Sequence, residues 1–187
     1  VQVYNPDRFQ TAKPSQGQDA AIPNRAGTVA VTITALSFKD ALSRFATGVC
    51  VVTAIGDAGQ PNGLTISTFT SVSLEPPLIL FCLGRKSEAL VREAQGGRFA
   101  VNVLAEDQEE ISEIFASQQA NKFAGIAYAP GEFGCPLVNG ALAGLECVID
   151  AIHEGGDHLI VVGRVERLRV LGGKPLLRYR GRYLRIT

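Results

Sequence analysis

The residues of this chain that could do chemistry are a run of hydroxyls, a few cations and two histidines. Thr65-Ile66-Ser67-Thr68-Phe69-Thr70-Ser71 carries hydroxyls on both faces of a strand-like stretch. Threonine is a good strand former, which is one explanation. The other is an edge whose hydroxyls and backbone N–H groups hold a polar, planar ligand. Further on, Arg85-Lys86-Ser87 sets two cations ahead of a serine expected to cap a helix over 87–95. Free N–H groups at a helix start favour an anion, so the segment reads either as a phosphate seat or as a solvated loop. Both histidines flank two glycines in His153-Glu154-Gly155-Gly156-Asp157-His158. A zinc-protease box needs histidines four apart on a helix, whereas these are separated by five around a pair that favours a turn. The segment is therefore a hairpin tip, with no metal expected. His158 there either solvates the turn or hydrogen-bonds a ligand amide without changing charge.

Other signatures are missing. The sequence contains no G-x-G-x-x-G after a strand, no G-x-x-x-x-G-K-[ST] and no G-x-S-x-G. Gly172-Gly173-Lys174 is too short for a phosphate loop and reads as a turn. Cys50, Cys82, Cys135 and Cys147 form no C-x-x-C pair, and three of them sit in apolar runs, as reduced structural thiols of a cytoplasmic protein do. Eighteen Lys+Arg balance eighteen Asp+Glu, which disfavours a nucleic-acid partner. No apolar stretch approaches the ~18 residues of a membrane span, and VQVYNPDRFQ has no signal-peptide pattern.

The elements that must position these groups follow from the apolar periods. Residues 1–35 are polar, contain Pro6, Pro14 and Pro23, and read as an extended arm, with VAVTITAL (29–36) a possible strand at its end. Ser37-Phe38-Lys39-Asp40 opens a helix carrying Leu42 and Phe45 on one face and stopped by Gly48. VCVVTAI (49–55), a turn at 56–63 and LTISTFTSVSL (64–74) predict a hairpin, and LILFCL (78–83) a buried strand. The 87–95 helix, a strand over 99–104, a helix over 107–117 and a loop-rich stretch at 118–140 come next. ALAGLECVIDAIHE and DHLIVVGRVERLRVL form a long hairpin, and LLRYRGRYLRI closes the chain. Six or seven strands with about three short helices, and no βαβ alternation, predict a mainly β, antiparallel barrel or sandwich. The remainder, 36–187, is read as one domain.

Taken in order, several of these segments resemble the flavin reductase family. They are Phe45-Ala46-Thr47-Gly48-Val49, Gly63-Leu64-Thr65 through Ser73, Glu75-Pro76-Pro77-Leu78, Arg85-Lys86-Ser87, Phe99-Ala100-Val101-Asn102-Val103-Leu104, Gly156-Asp157-His158 and Tyr179-Arg180-Gly181-Arg182-Tyr183. The resemblance covers about 38–187. It implies an antiparallel split β-barrel of the FMN-binding type, usually a homodimer. It also implies a reductase passing hydride from NADH or NADPH to FMN or FAD and supplying reduced flavin to a partner monooxygenase. A flavin-binding protein without turnover is the alternative. On the same resemblance Thr65, Ile66, Ser67 and Thr68 would line the flavin ring and its side chain, and Arg85, Lys86 and Ser87 would take the phosphate. Asn102 would lie nearby, His158 would position the nicotinamide, and Arg182 and Tyr183 would border the dinucleotide pocket. Hydride transfer between two rings needs no protein nucleophile, so the missing triads do not count against it.

Overall fold

The computed structural model describes residues 33–186; most of the arm and most of the strand expected at 29–36 lie outside them. Ala35 and Leu36, the end of that expected strand, instead open helix α1 (Ala35–Ser43). Ser37 is thus inside the helix rather than capping it, and the helix stops well short of Gly48. The reason for the early stop is tertiary. The Ser43 carbonyl accepts the Arg180 N–H at 2.8 Å, and Thr47–Gly48 pairs as strand β1.

Seven strands make the main sheet: β2 (Cys50–Ile55), β3 (Pro61–Ile66), β4 (Thr70–Leu74), β5 (Pro77–Gly84), β6 (Arg98–Val103), β9 (Ala143–Gly155) and β10 (His158–Val170). Their order is β3-β2-β6-β9-β10-β5-β4, and every neighbouring pair is antiparallel. Two small sheets complete the β structure of the described residues. One joins β1 to β11 (Leu177–Tyr179) and β12 (Arg182–Leu184), and the other pairs β7 (Tyr128–Pro130) with β8 (Pro136–Val138).

The expected single strand at 64–74 is the main correction. It breaks at residues 67–69 into β3 and β4, which are the two opposite edges of the seven-stranded sheet. Ile66 and Thr70 are four Cα steps apart, so the edges approach to within ~15 Å there. The Thr68 hydroxyl reaches across, donating to the Cys82 carbonyl and accepting the Cys82 N–H, each at 2.9 Å.

The sheet buries apolar side chains on both faces of β2. Val52 joins Phe81, Phe99, Val101, Leu159 and Val161 in one cluster, while Val51 joins Val49, Leu104, Phe115 and Leu176 in the other. Phe81 meets Phe99 edge-on at 5.5 Å between centroids, the geometry the ring quadrupoles favour. Helix α3 (Glu109–Ala116) matches its expected span and seats Phe115 against Gly63, where a Cβ would fall 2.6 Å from the ring. The helix expected at 87–95 is reduced to α2 (Ala89–Arg92) between 3-10 turns at Arg85–Ser87 and Gln95–Gly97. It ends where Glu93 leaves helical geometry and Ala94 is extended, before the positive-φ Gly96 and Gly97 are reached. Among the described residues no helix is long and apolar enough to cross a membrane.

Candidate functional site

The break at 67–69 faces the segment between α1 and β2. A crevice of about 600 Å³ lies between them, lined by Phe45, Thr47, Ser67, Thr68, Phe69 and Thr70 among others. Its size is that of a small-molecule site, and its mixture of aromatic surface with exposed hydroxyls suits a flat, partly polar ligand. Ser67 and Thr68 are both exposed there. The two residues before them are turned away. Ile66 is buried in the main core, and Thr65 donates its hydroxyl to the Ser112 carbonyl at 2.7 Å. Strand alternation up to Ile66 spends these side chains on packing, which corrects the expectation that all four line one ligand.

The cationic loop also departs from expectation. Ser87 caps no helix: it ends a 3-10 turn, and the residue at the start of α2 is Glu88, already in helical conformation. Arg85 is engaged by the hairpin tip. Its backbone N–H donates to the Asp157 carbonyl, its Nε to the Gly156 carbonyl at 3.1 Å, and its Nη2 to the Glu154 carboxylate. Lys86 is exposed. The loop follows directly on β5, whose Cys82 is held by Thr68, so hydroxyl segment and cations share one end of that strand.

His158 reaches the same end. It pairs with Gly84 across the β10–β5 ladder, and its Nε2 would lie 3.9 Å from a Cβ at Gly84. Its Nδ1 is 2.8 Å from Asp157 Oδ1. A carboxylate only accepts, so Nδ1 carries the proton and Nε2 is left to accept when the ring is neutral. The Asp157 carboxyl is held below its usual range by the hydrogen bond from His158, then by the charge of His158 and, more weakly, that of Lys39.

Asn102 does not belong to this site. It is fully buried, and its Nδ2 lies within donating distance of the Val51 carbonyl, Thr53 Oγ1 and the Pro136 carbonyl, while its Oδ1 accepts the Val138 N–H at 2.8 Å. It fastens β8 to the back of β2 and β6. Tyr183 is likewise turned inward: its hydroxyl is 2.8 Å from Ser112 Oγ, and the Arg178 guanidinium lies over its ring. Arg182 is exposed and lines a hollow with Tyr179, Arg180 and Leu184. Phe45, Thr47 and Phe69 are not among the residues expected at the site, although all three lie in segments that carry the resemblance, Phe45-Ala46-Thr47-Gly48-Val49 and Gly63 through Ser73.

The thiols are structural. Burial pushes Cys50 and Cys147 up to about 12 and Cys135 to about 11. All four cysteines are unpaired, and among the described residues no group of His, Cys, Asp and Glu is placed to hold a metal.

Residues 42–187, from the end of α1 onward, match the family described as the flavin reductase like domain. The chain belongs to this family. Membership in the flavin reductase family makes it an oxidoreductase. The reductase subunit HsaB of a flavin-dependent monooxygenase from Mycobacterium tuberculosis is 42% identical over 150 residues, 79% of this chain and 80% of that protein. A flavin reductase from Pseudomonas putida is 40% identical over 147 residues, 78% of this chain and 86% of its own length. Among solved structures, the Streptomyces globisporus NADH:FAD oxidoreductase SgcE6, in complex with NAD and FAD fragments, superposes with a TM-score of 0.76. It is 38% identical, with 81% of this chain and 92% of that one covered. The flavin reductase neighbours share the mainly β, antiparallel architecture described above.

Proposed function

We propose that this protein is the reductase component of a two-component flavin-dependent monooxygenase, moving hydride from NADH or NADPH to FMN or FAD and releasing the reduced flavin to its partner. The observation that carries this reading is the crevice between Phe45–Gly48 and Ser67–Thr70, with its hydroxyl edge clipped by Thr68 to the strand that ends beside His158. A flavin bound there supplies the electron-accepting ring. The chain itself supplies the rest. Ser67 presents a hydroxyl to the ring edge, Phe45 and Phe69 keep water from its faces, and the exposed Lys86 offers a charge to the phosphate. His158 Nε2, its opposite nitrogen held by Asp157, accepts a hydrogen bond from a nicotinamide carboxamide and orients the donor ring.

We further infer that the seven-stranded sheet is curled into a split barrel, since three residues join its two edges. A homodimer is supported by α1, which has no buried residue and exposes Leu36, Phe38 and Leu42, with Phe45 beyond it. Four unpaired thiols favour a reducing compartment such as the cytoplasm. The partner is inferred from relatives that are monooxygenase reductase subunits, the first described above among them.

The test is flavin-dependent oxidation of NADH and NADPH followed by nicotinamide absorbance, with FMN and FAD in turn. Turnover with at least one pair is expected, and His158→Ala should lower it with flavin affinity retained. A protein that binds flavin tightly but oxidises neither nicotinamide would leave a binding protein in place of an enzyme.

A further inference from the structure

The chain is neutral overall, yet its charge is unevenly spread. From Arg167 to Thr187 it has seven Lys and Arg and no Asp or Glu. Part of this charge converges on a second crevice of about 420 Å³, lined by Lys39, Ser67, Arg178, Tyr179 and Arg180 among others. It shares Leu42, Phe45, Thr47 and Ser67 with the hydroxyl-lined crevice, so the two are one continuous groove. One end is aromatic and hydroxyl-bearing; the other is cationic.

Lys39, Arg178 and Arg180 form no ion pair with any carboxylate among the described residues, so their charge is available to a ligand, as is that of Lys86, Arg182 and Arg185. The backbone sets this end of the groove apart from an ordinary solvated surface. Arg180 is held in an expensive conformation. It takes φ +49, and it is the one described residue other than glycine with positive φ. The Arg180-Gly181 turn joins β11 to β12, where Asn or Gly is the favoured first residue. Its N–H is tied to the Ser43 carbonyl, fixing the turn beside α1 and the crevice. An arginine kept where the backbone favours a smaller residue points to a use for its guanidinium.

We propose that Lys39, Arg178 and Arg180 form a seat for a phosphate group of a nicotinamide or flavin nucleotide whose ring end occupies the hydroxyl-lined crevice. This rests on the reductase reading given above and adds a second anion site to it, distinct from the Arg85–Ser87 loop. Arginine suits the role because its planar fork binds phosphate oxygens in pairs. The phosphate could come from the 2′ position of NADPH, from the diphosphate of either nicotinamide dinucleotide, or from the flavin side chain.

The experiment compares equilibrium dissociation constants, measured by calorimetry, of NADH, NADPH, FMN, FAD and riboflavin for the full chain and two variants. Arg180→Gly removes the guanidinium while relieving the positive-φ strain and keeping the N–H bond to Ser43, so it folds at least as well. Arg185→Ala removes the same charge at an exposed position outside the groove. Arg180→Gly is expected to weaken the phosphate-bearing ligand on the order of tenfold, as the loss of a charge-assisted hydrogen bond does. Riboflavin should be unaffected, and Arg185→Ala should change nothing. Loss for NADPH alone assigns the 2′-phosphate, equal loss for NADH and NADPH the diphosphate, and loss for FMN or FAD the flavin phosphate. The proposal is overturned if no ligand weakens, if riboflavin weakens equally, or if Arg185→Ala matches Arg180→Gly. Wild-type turnover in the assay above is independent of all these outcomes, so the seat can fail while the reductase reading stands.

Discussion

Asn102 separates a structural role from a ligand-binding one more sharply than any other residue here. The Asn102→Ala variant deletes a side chain that is fully buried and fully engaged. The Val138 N–H, itself inaccessible to water, loses its 2.8 Å acceptor, Oδ1. Orphaning one such donor costs about 1–3 kcal/mol. The donations from Nδ2 to the Val51 carbonyl at 3.2 Å and Thr53 Oγ1 at 3.3 Å are longer, and Thr53 keeps its own bond to the Pro136 carbonyl. They add about 1 kcal/mol. A total of about 2–4 kcal/mol is a large share of a stability of about 5–15 kcal/mol. At about 2–4 °C per kcal/mol for a chain of this size, melting should fall by about 4–16 °C. Asn102→Asp tests the reasoning further: it keeps the acceptor for Val138 but turns a carboxylate towards carbonyl oxygens, and should fall at least as far at neutral pH. Thermal unfolding by circular dichroism gives the first quantity, and calorimetric flavin titration below the transition gives the second. Unchanged melting together with weakened flavin binding would refute the structural assignment and return Asn102 to the ligand site.

Thr68→Val removes both hydrogen bonds to Cys82 while keeping the β-branched shape; flavin should bind about fivefold more weakly, measured by fluorescence quenching, with only a small change in melting. Gly163→Ala places a Cβ 2.4 Å from Phe99 Cζ in the main core and should destabilise by about 1–3 kcal/mol or more, read as a lowered melting temperature. Cys50, Cys135 and Cys147 should resist a thiol reagent at pH 8 in the native protein and react on unfolding, leaving the half-buried Cys82 as the accessible thiol. Their raised values also give stability a sign. Above about pH 9 the unfolded thiols lose protons that the folded ones keep, so stability falls as pH rises from about 9 towards 11–12, measurable by denaturant titration.

Where a period is long, the sequence predicts the element well. The β9–β10 hairpin spans thirteen residues on each strand around Gly155-Gly156, and α3 shows its apolar stripe. Legibility fails where tertiary contacts decide. The strands β7 and β8 are three residues each, begin or end in proline, and are shorter than any detectable alternation. The helix at 87–95 has an acceptable local pattern, but the hairpin tip claims Arg85 at one end and Ala94 turns extended at the other. At the site, residue type alone could not say that Thr65 and Thr68, three apart in one hydroxyl run, serve different partners. Asn102 illustrates the same point: an amide in a strand looks alike whether it meets a ligand or its neighbours' backbone.

The break at residues 67–69 makes the fold and the site one problem. A continuous strand over 64–74 would have left both sheet edges far apart and its hydroxyls divided between core and solvent. By leaving the ladder after Ile66 and re-entering it at Thr70 on the other edge, the chain keeps Ser67 and Thr68 clear of the alternation that buries Ile66. Only one of these hydroxyls, that of Thr68, is tied to backbone at β5; Ser67 remains exposed between the aromatic and cationic ends of the groove. Apposing two rings requires a rigid wall with polar contacts at its rim rather than a reactive side chain. A sheet whose two edge strands are linked by three residues provides such a wall, and a local change at 67–69 should alter ligand affinity well before it alters the core.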